Sequence, residues 1–144
     1  MTTKIVVAYD GSDSAVRALE YAMDQAIKAG ASVVVAHVLE WSPYTFLTPE
    51  EIEERHARRE DELKRAKTSV IDPALEKYAA SGVTVTGTVK YGHVAETLAR
   101  LATQEKADQL VVGRQGQSTL SKRFFGSVPM TLAQTTPIAL TIIP

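Results

Sequence analysis

Short apolar runs rich in β-branched residues alternate along this chain with longer segments of helical periodicity, and that alternation leaves few folds open. Residues 4–9 (KIVVAY) are apolar and stop at Asp10-Gly11, the pattern of a buried strand ending in a turn. Over residues 13–29, Val16, Leu19, Met23 and Ile27 recur at helical steps and line one face. Ser12 or Asp13 can cap that helix and Gly30 can end it. Residues 32–39 (SVVVAHVL) form a second continuous apolar run, and residues 40–49 read as a loop holding two prolines and several aromatics. Thr48, with Glu51 in capping-box register, opens a long charged helix predicted to reach about residue 80, which Pro73 is placed to kink or split. Residues 83–91 alternate as a third strand, and a helix carrying Val94, Leu98 and Leu101 follows. Residues 107–112 form a fourth strand ending at Gly113, and 113–126 a polar loop with room for one helical turn. A short helix over 127–134 and a last strand over 136–143 complete the chain.

The order β-α-β-α-β-α-β-α-β implies a parallel sheet covered by helices on both faces. Right-handed crossovers favour a doubly wound five-stranded α/β sheet, order 3-2-1-4-5. No repeat or linker interrupts the pattern, so residues 1–144 are read as a single domain. The formal net charge is −1, without the basic surplus of a protein that neutralises nucleic-acid phosphates. There is no cysteine, which excludes disulfides, thiolate chemistry and cysteine zinc sites. No signal-peptide pattern or membrane-span-length apolar run is visible, and the expected location is the cytoplasm.

In an open parallel sheet, ligands bind beyond the C-terminal strand ends where the strand order reverses, here between strands one and four. Strand one ends in Asp10-Gly11-Ser12, and strand four runs into Gly113, Gly116, Gly126 and Ser127. Glycines let main-chain N–H groups approach an anion, and Gly126-Ser127 opens a helix whose N-terminus favours phosphate. Lys122 and Arg123 add charge nearby. Neither G-x-G-x-x-G nor G-K-S/T occurs, so the glycines are open to two readings, turns or an anion site. Asp10 is likewise open to two roles: capping the first helix or its turn, or reading a ligand's donor groups.

The spacing G-x2-G-x9-G-S, together with KIVVAYDGSDSAVRALEYA, VVVAHVLE and VKYGHVAETLARLATQEKADQLVVGRQG, resembles the ATP-binding branch of the universal stress protein family across nearly the whole chain. The resemblance implies an adenine nucleotide, ATP with or without Mg2+, or ADP or AMP, in the crevice. Asp10 would sit at the adenine, main-chain groups of Val38 would read its edge, and Gly113 and Gly116 would follow ribose and phosphates. Gly126, Ser127 and Val128 would hold the phosphate tail. Gly113→Val is expected to abolish binding and leave the fold intact. The resemblance also implies a homodimer through the last strand, Pro137 to Ile143, whose apolar edge invites pairing. Gln117 and the segment after Ser127 (VPMTLAQTTPIALTIIP) depart from the family's usual residues.

The function expected is a nucleotide-dependent stress-response or regulatory module with a protein partner of unknown identity. A slow ATP hydrolase or phosphotransfer enzyme and a nucleotide-free dimeric scaffold are the alternatives. No H-E-x-x-H or G-x-S-x-G occurs, and no catalytic residue or metal cage is assigned. His37 reads as a core residue of the second strand, His56 as solvated, and His93 as near a strand end and within reach of a ligand. The charged helix reads as a solvated face or a partner surface. Trp41, Tyr44 and Phe46 would cover the nucleotide or pack on a partner or on the domain itself.

Overall fold

A computed structural model describes residues 3–40, 48–115 and 127–144, with Ser127 described by its backbone alone. The elements are β1 (Lys4–Ala8), α1 (Asp13–Ala29), β2 (Ser32–Glu40), α2 (Pro49–Ala66), a π-helical turn (Lys67–Ile71), α3 (Asp72–Lys77), β3 (Val85–Gly92), α4 (Val94–Gln104), β4 (Gln109–Gly113), α5 (Ser127–Thr135) and β5 (Ala139–Ile143). The strands form one parallel sheet in the order β3-β2-β1-β4-β5, as the alternation implies. Trp41, Tyr44, Phe46, Gly116, Gln117, Lys122, Arg123 and Gly126 lie outside the described residues.

Two cores explain why the strands are apolar at every position. Ile5, Val7, Val33, Val35 and Val111 turn to one face, under α1, the π turn and α3. Val6, Ala8, Val34, Ala36, Leu110 and Val112 turn to the other, under α4 and α5. Successive strand side chains alternate faces, so a sheet covered on both sides keeps every position dry. Burying each such Val, Leu or Ile is worth about 1.5–3 kcal/mol.

The helix faces are partly different from those predicted. In α1, Ile27 is 59% exposed and Val16 only half-buried. The face against the sheet is instead Ala15, Ala18, Leu19, Ala22, Met23 and Ala26. Its alanines let the helix backbone lie close to the strands, so a face chosen by large apolar residues is rotated from the true one. Ser12 caps α1 by accepting from the Ala15 N–H at 3.2 Å, and Gly30 ends it at φ 67°.

The long charged helix starts at its predicted cap: the Thr48 hydroxyl accepts from the Glu51 N–H at 3.2 Å. Pro73 does not break it. The chain widens into the π turn just upstream and continues as α3. A prolyl ring lacks an N–H and crowds the carbonyl four residues back, and a wider turn gives that carbonyl room. The helical stretch ends at Lys77 rather than near residue 80. Fully buried Ile71 anchors the π turn over β3. There Gly87 has no side chain to obstruct it, and a Cβ at that position would collide with the Ile71 side chain.

Candidate functional site

The end of β1 is shaped by its own side chains. The Asp10 carboxylate accepts from the Ser12 N–H at 2.9 Å, closing a turn around Gly11 at φ 79°. That conformation suits glycine, and the turn hands Ser12 to its capping role. Of the roles open to Asp10, the one in the turn is therefore present. Its carboxylate also borders the adjoining cleft, and a second oxygen has acceptor capacity for a ligand donor.

The cleft lies at the C-terminal ends of β1 and β2 and is closed on one side by α4. It is lined by Ala8, Asp10, Ala36, Val38, Val94 and Leu98, with His37 and Tyr9 beside them. Asp10 and Val38, distant in sequence, are thus brought together. Apolar walls with a few polar edge groups suit a flat heterocycle.

His37 is a lining residue that sequence reading assigned to the core. It is half-buried, and its Nδ1 lies 2.7 Å from the Tyr9 carbonyl oxygen. A carbonyl only accepts, so Nδ1 carries the proton and donates. The ring is thereby fixed beside the cleft. The sequence signal for this is its place near the C-terminal end of β2, next to Val38. His56 is exposed on α2, and His93 is exposed at the start of α4 and does not line the cleft.

Gly113 is the last residue of β4, adjacent in the sheet to β1 and β5. A Cβ there would lie 2.8 Å and 2.9 Å from the Ser14 carbonyl carbon and oxygen, and would also strike the Ser14 hydroxyl. The expectation that Gly113→Val leaves the fold intact is therefore corrected: this glycine lets the first turn of α1 press against β4. Ser14, missed from sequence, is a junction. Its hydroxyl donates to the Ile143 carbonyl at 3.3 Å and accepts from the Gln115 N–H at 3.3 Å. The Arg114 N–H also donates to the Ile143 carbonyl, at 2.7 Å. These contacts set the direction in which the chain leaves β4 toward Gly116.

The Val128 side chain is buried with Leu98 and Leu132, so only its main chain is available to a ligand. It lies in the first turn of α5, whose leading N–H groups have no intrahelical acceptor. α5 shares its sheet face with α4 and hence with the cleft. Among the described residues no cluster of three His, Asp or Glu could hold a metal, and no helix is long and apolar enough to cross a membrane. Among the described residues, Asp10 is the only carboxylate lining the cleft.

A doubly wound parallel sheet with a cleft at the C-terminal ends of β1 and β2 defines an α/β domain of the kind that binds ligands at its C-terminal strand ends. The chain belongs to the universal stress protein family, whose family model matches residues 1–144. It is 32% identical over 149 residues to the universal stress protein in QAH/OAS sulfhydrylase 3'region of Thermus aquaticus, with 99% of each chain covered. The solved structure of the universal stress protein UspA from Lactobacillus plantarum superposes with a TM-score of 0.83 at 24% identity, covering 99% of this chain and 97% of that one. A universal stress protein solved in complex with cAMP superposes with a TM-score of 0.65 at 26% identity, covering 99% and 97%.

Proposed function

We propose that this chain is an adenine-nucleotide-binding universal stress protein, with ATP as its principal ligand. The base enters the cleft between Asp10 and Val38. Ribose and phosphates run outward over Gly113 and Gly116 to the main-chain N–H groups of Gly126, Ser127 and Val128. The observation that carries this reading is the apolar-walled cleft at the C-terminal ends of β1 and β2, with the Asp10 carboxylate at its border. The complex of a relative with cAMP supports a nucleotide as the ligand class. Mg2+, if bound, is held chiefly by the phosphates, because among the described residues Asp10 alone supplies a carboxylate to the cleft. Occupancy alters the glycine loop after β4 and the aromatic loop after β2, and hence a surface read by a regulatory partner, and two copies pair through Pro137 to Ile143.

Filling the cleft tests the site without touching the Gly113–Ser14 contact. Val38 is half-buried on β2, where an aromatic residue is compatible with a strand. Val38→Trp is expected to weaken ATP binding at least tenfold by calorimetry, with the melting temperature shifted by only a few degrees. Unchanged affinity in a folded Val38→Trp protein would remove the base from this cleft.

A further inference from the structure

A second concavity lies on the other side of the start of α4. Val94 and Leu98 face the cleft, whereas His93, Glu96, Thr97 and Arg100 line an open polar basin. Arg59 of α2 and Tyr91 of β3 close its far side, with the guanidinium 4.9 Å from the Tyr91 ring centroid. Arg59, Arg100 and Glu96 line it; Arg100 holds Glu96 at 2.8 Å, and a second carboxylate, Glu62, accepts from the Tyr91 hydroxyl.

Three features suit the basin to an oxyanion. The N-cap of the 11-residue α4 is His93, which makes no side-chain cap bond. The N–H groups of Val94, Ala95 and Glu96 have no acceptor within the helix, and this end carries the positive end of the helix dipole. Thr97 is only 9% exposed, yet its hydroxyl has no hydrogen-bond partner among the described residues. No side-chain oxygen sealed from solvent lacks a partner there, so the Thr97 oxygen opens into the basin it lines. Gly92, at φ 154°, makes room for that hydroxyl, since a Cβ on Gly92 would sit 2.5 Å from Thr97 Oγ1. A hydroxyl that opens into the basin from a largely buried residue, beside the leading main-chain N–H groups of α4 and two arginines, supplies donors that a tetrahedral oxyanion satisfies together.

We propose that this basin is a phosphate-class oxyanion site, separate from the nucleotide cleft and bound by the Thr97 hydroxyl, the leading N–H groups of α4 and the guanidinium groups of Arg59 and Arg100. The site stands whether or not the nucleotide cleft is filled.

Inorganic phosphate titrated into the 15N-labelled full chain, against chloride at matched ionic strength, tests it. Saturable shifts are expected at the amides of Ala95, Glu96 and Thr97. Thr97→Val is expected to weaken them several-fold, and Arg59→Gln, on the exposed helix α2, at least fivefold. Arg59→Gln serves as the test should Thr97→Val fail to fold. Absence of saturable shifts in α4, shifts confined to the amides of Ser12 and Gly113, or an affinity unchanged in folded Arg59→Gln protein would each overturn the proposal.

Discussion

Gly113 shows how one residue type can carry two meanings. In the sequence it is a glycine at a strand end that suits phosphate. In the structure it also meets the Ser14 backbone, so a side chain there damages packing before it meets any ligand. Gly113→Ala is expected to cost about 1–3 kcal/mol, the usual penalty for overpacking, read as a lower denaturation midpoint in urea. Ser14→Ala leaves the Gln115 N–H unpaired and should cost about 1 kcal/mol. It should also loosen the exit of β4, seen as faster amide exchange at Gln115. Asp10 separates charge from geometry: Asp10→Asn keeps an acceptor for the Ser12 N–H and so the turn, while Asp10→Ala loses both.

Among the elements, α2 and the π turn after it make opposite demands. α2 buries only Ala66, so its stability rests largely on its cap and its charges, including the Asp61–Arg65 pair at 2.6 Å, with Arg59 and Glu62 reaching Tyr91 of β3. Exposed pairs of that kind are worth little. Thr48→Ala removes about 1 kcal/mol of capping. Its expected signature is fraying of the first turns of α2 in hydrogen exchange, with little change in the global melting temperature. The π turn is the reverse case. Ile71 is fully buried, and Ile71→Ala should cost about 2–5 kcal/mol globally. A melting temperature within a degree of the parent would show that the turn is not anchored by this side chain. Capping chemistry at Thr48 and Ser12 is legible in sequence because it depends on residues three apart. The π turn is not, because it answers both to Pro73 and to the fit of Ile71 over Gly87 on another element.

At the scale of the whole molecule, pH and association are the levers. Burial is the main cause pushing the Tyr9 phenol above its ordinary 10.0, with Lys77 pulling the other way and Tyr78 and Asp10 adding to the rise. The hydrogen bond to Glu62 raises Tyr91, with burial adding to it. A raised phenol holds its proton more tightly folded than unfolded, so its contribution is complete below the unfolded value of 10.0 and is lost as pH climbs through the folded value. Chemical-denaturation stability should therefore be insensitive to these two groups near neutrality and fall above about pH 10. β5 ends the sheet at an open edge, with Ile142 41% exposed. On the proposed pairing of two copies through β5, Ile142→Lys is expected to abolish the dimer in sedimentation without altering circular dichroism. A parent chain that is monomeric at micromolar concentration would remove that interface.

The parallel sheet and its two-sided core follow from the sequence alone, because such a sheet needs apolar residues on both strand faces and a helix in every crossover, and right-handed crossovers favour the strand order observed. The positions of Asp10 and Val38 at strand ends follow for the same reason. What only the tertiary structure decided is which side chains meet across elements. The alanine face of α1, the Gly113–Ser14 contact, His37 pinned to the Tyr9 carbonyl and the Thr97 hydroxyl over Gly92 all join residues whose sequence separation bears no relation to their distance in space. Close packing depends on the shapes of both partners at once, and a linear pattern records only one partner at a time.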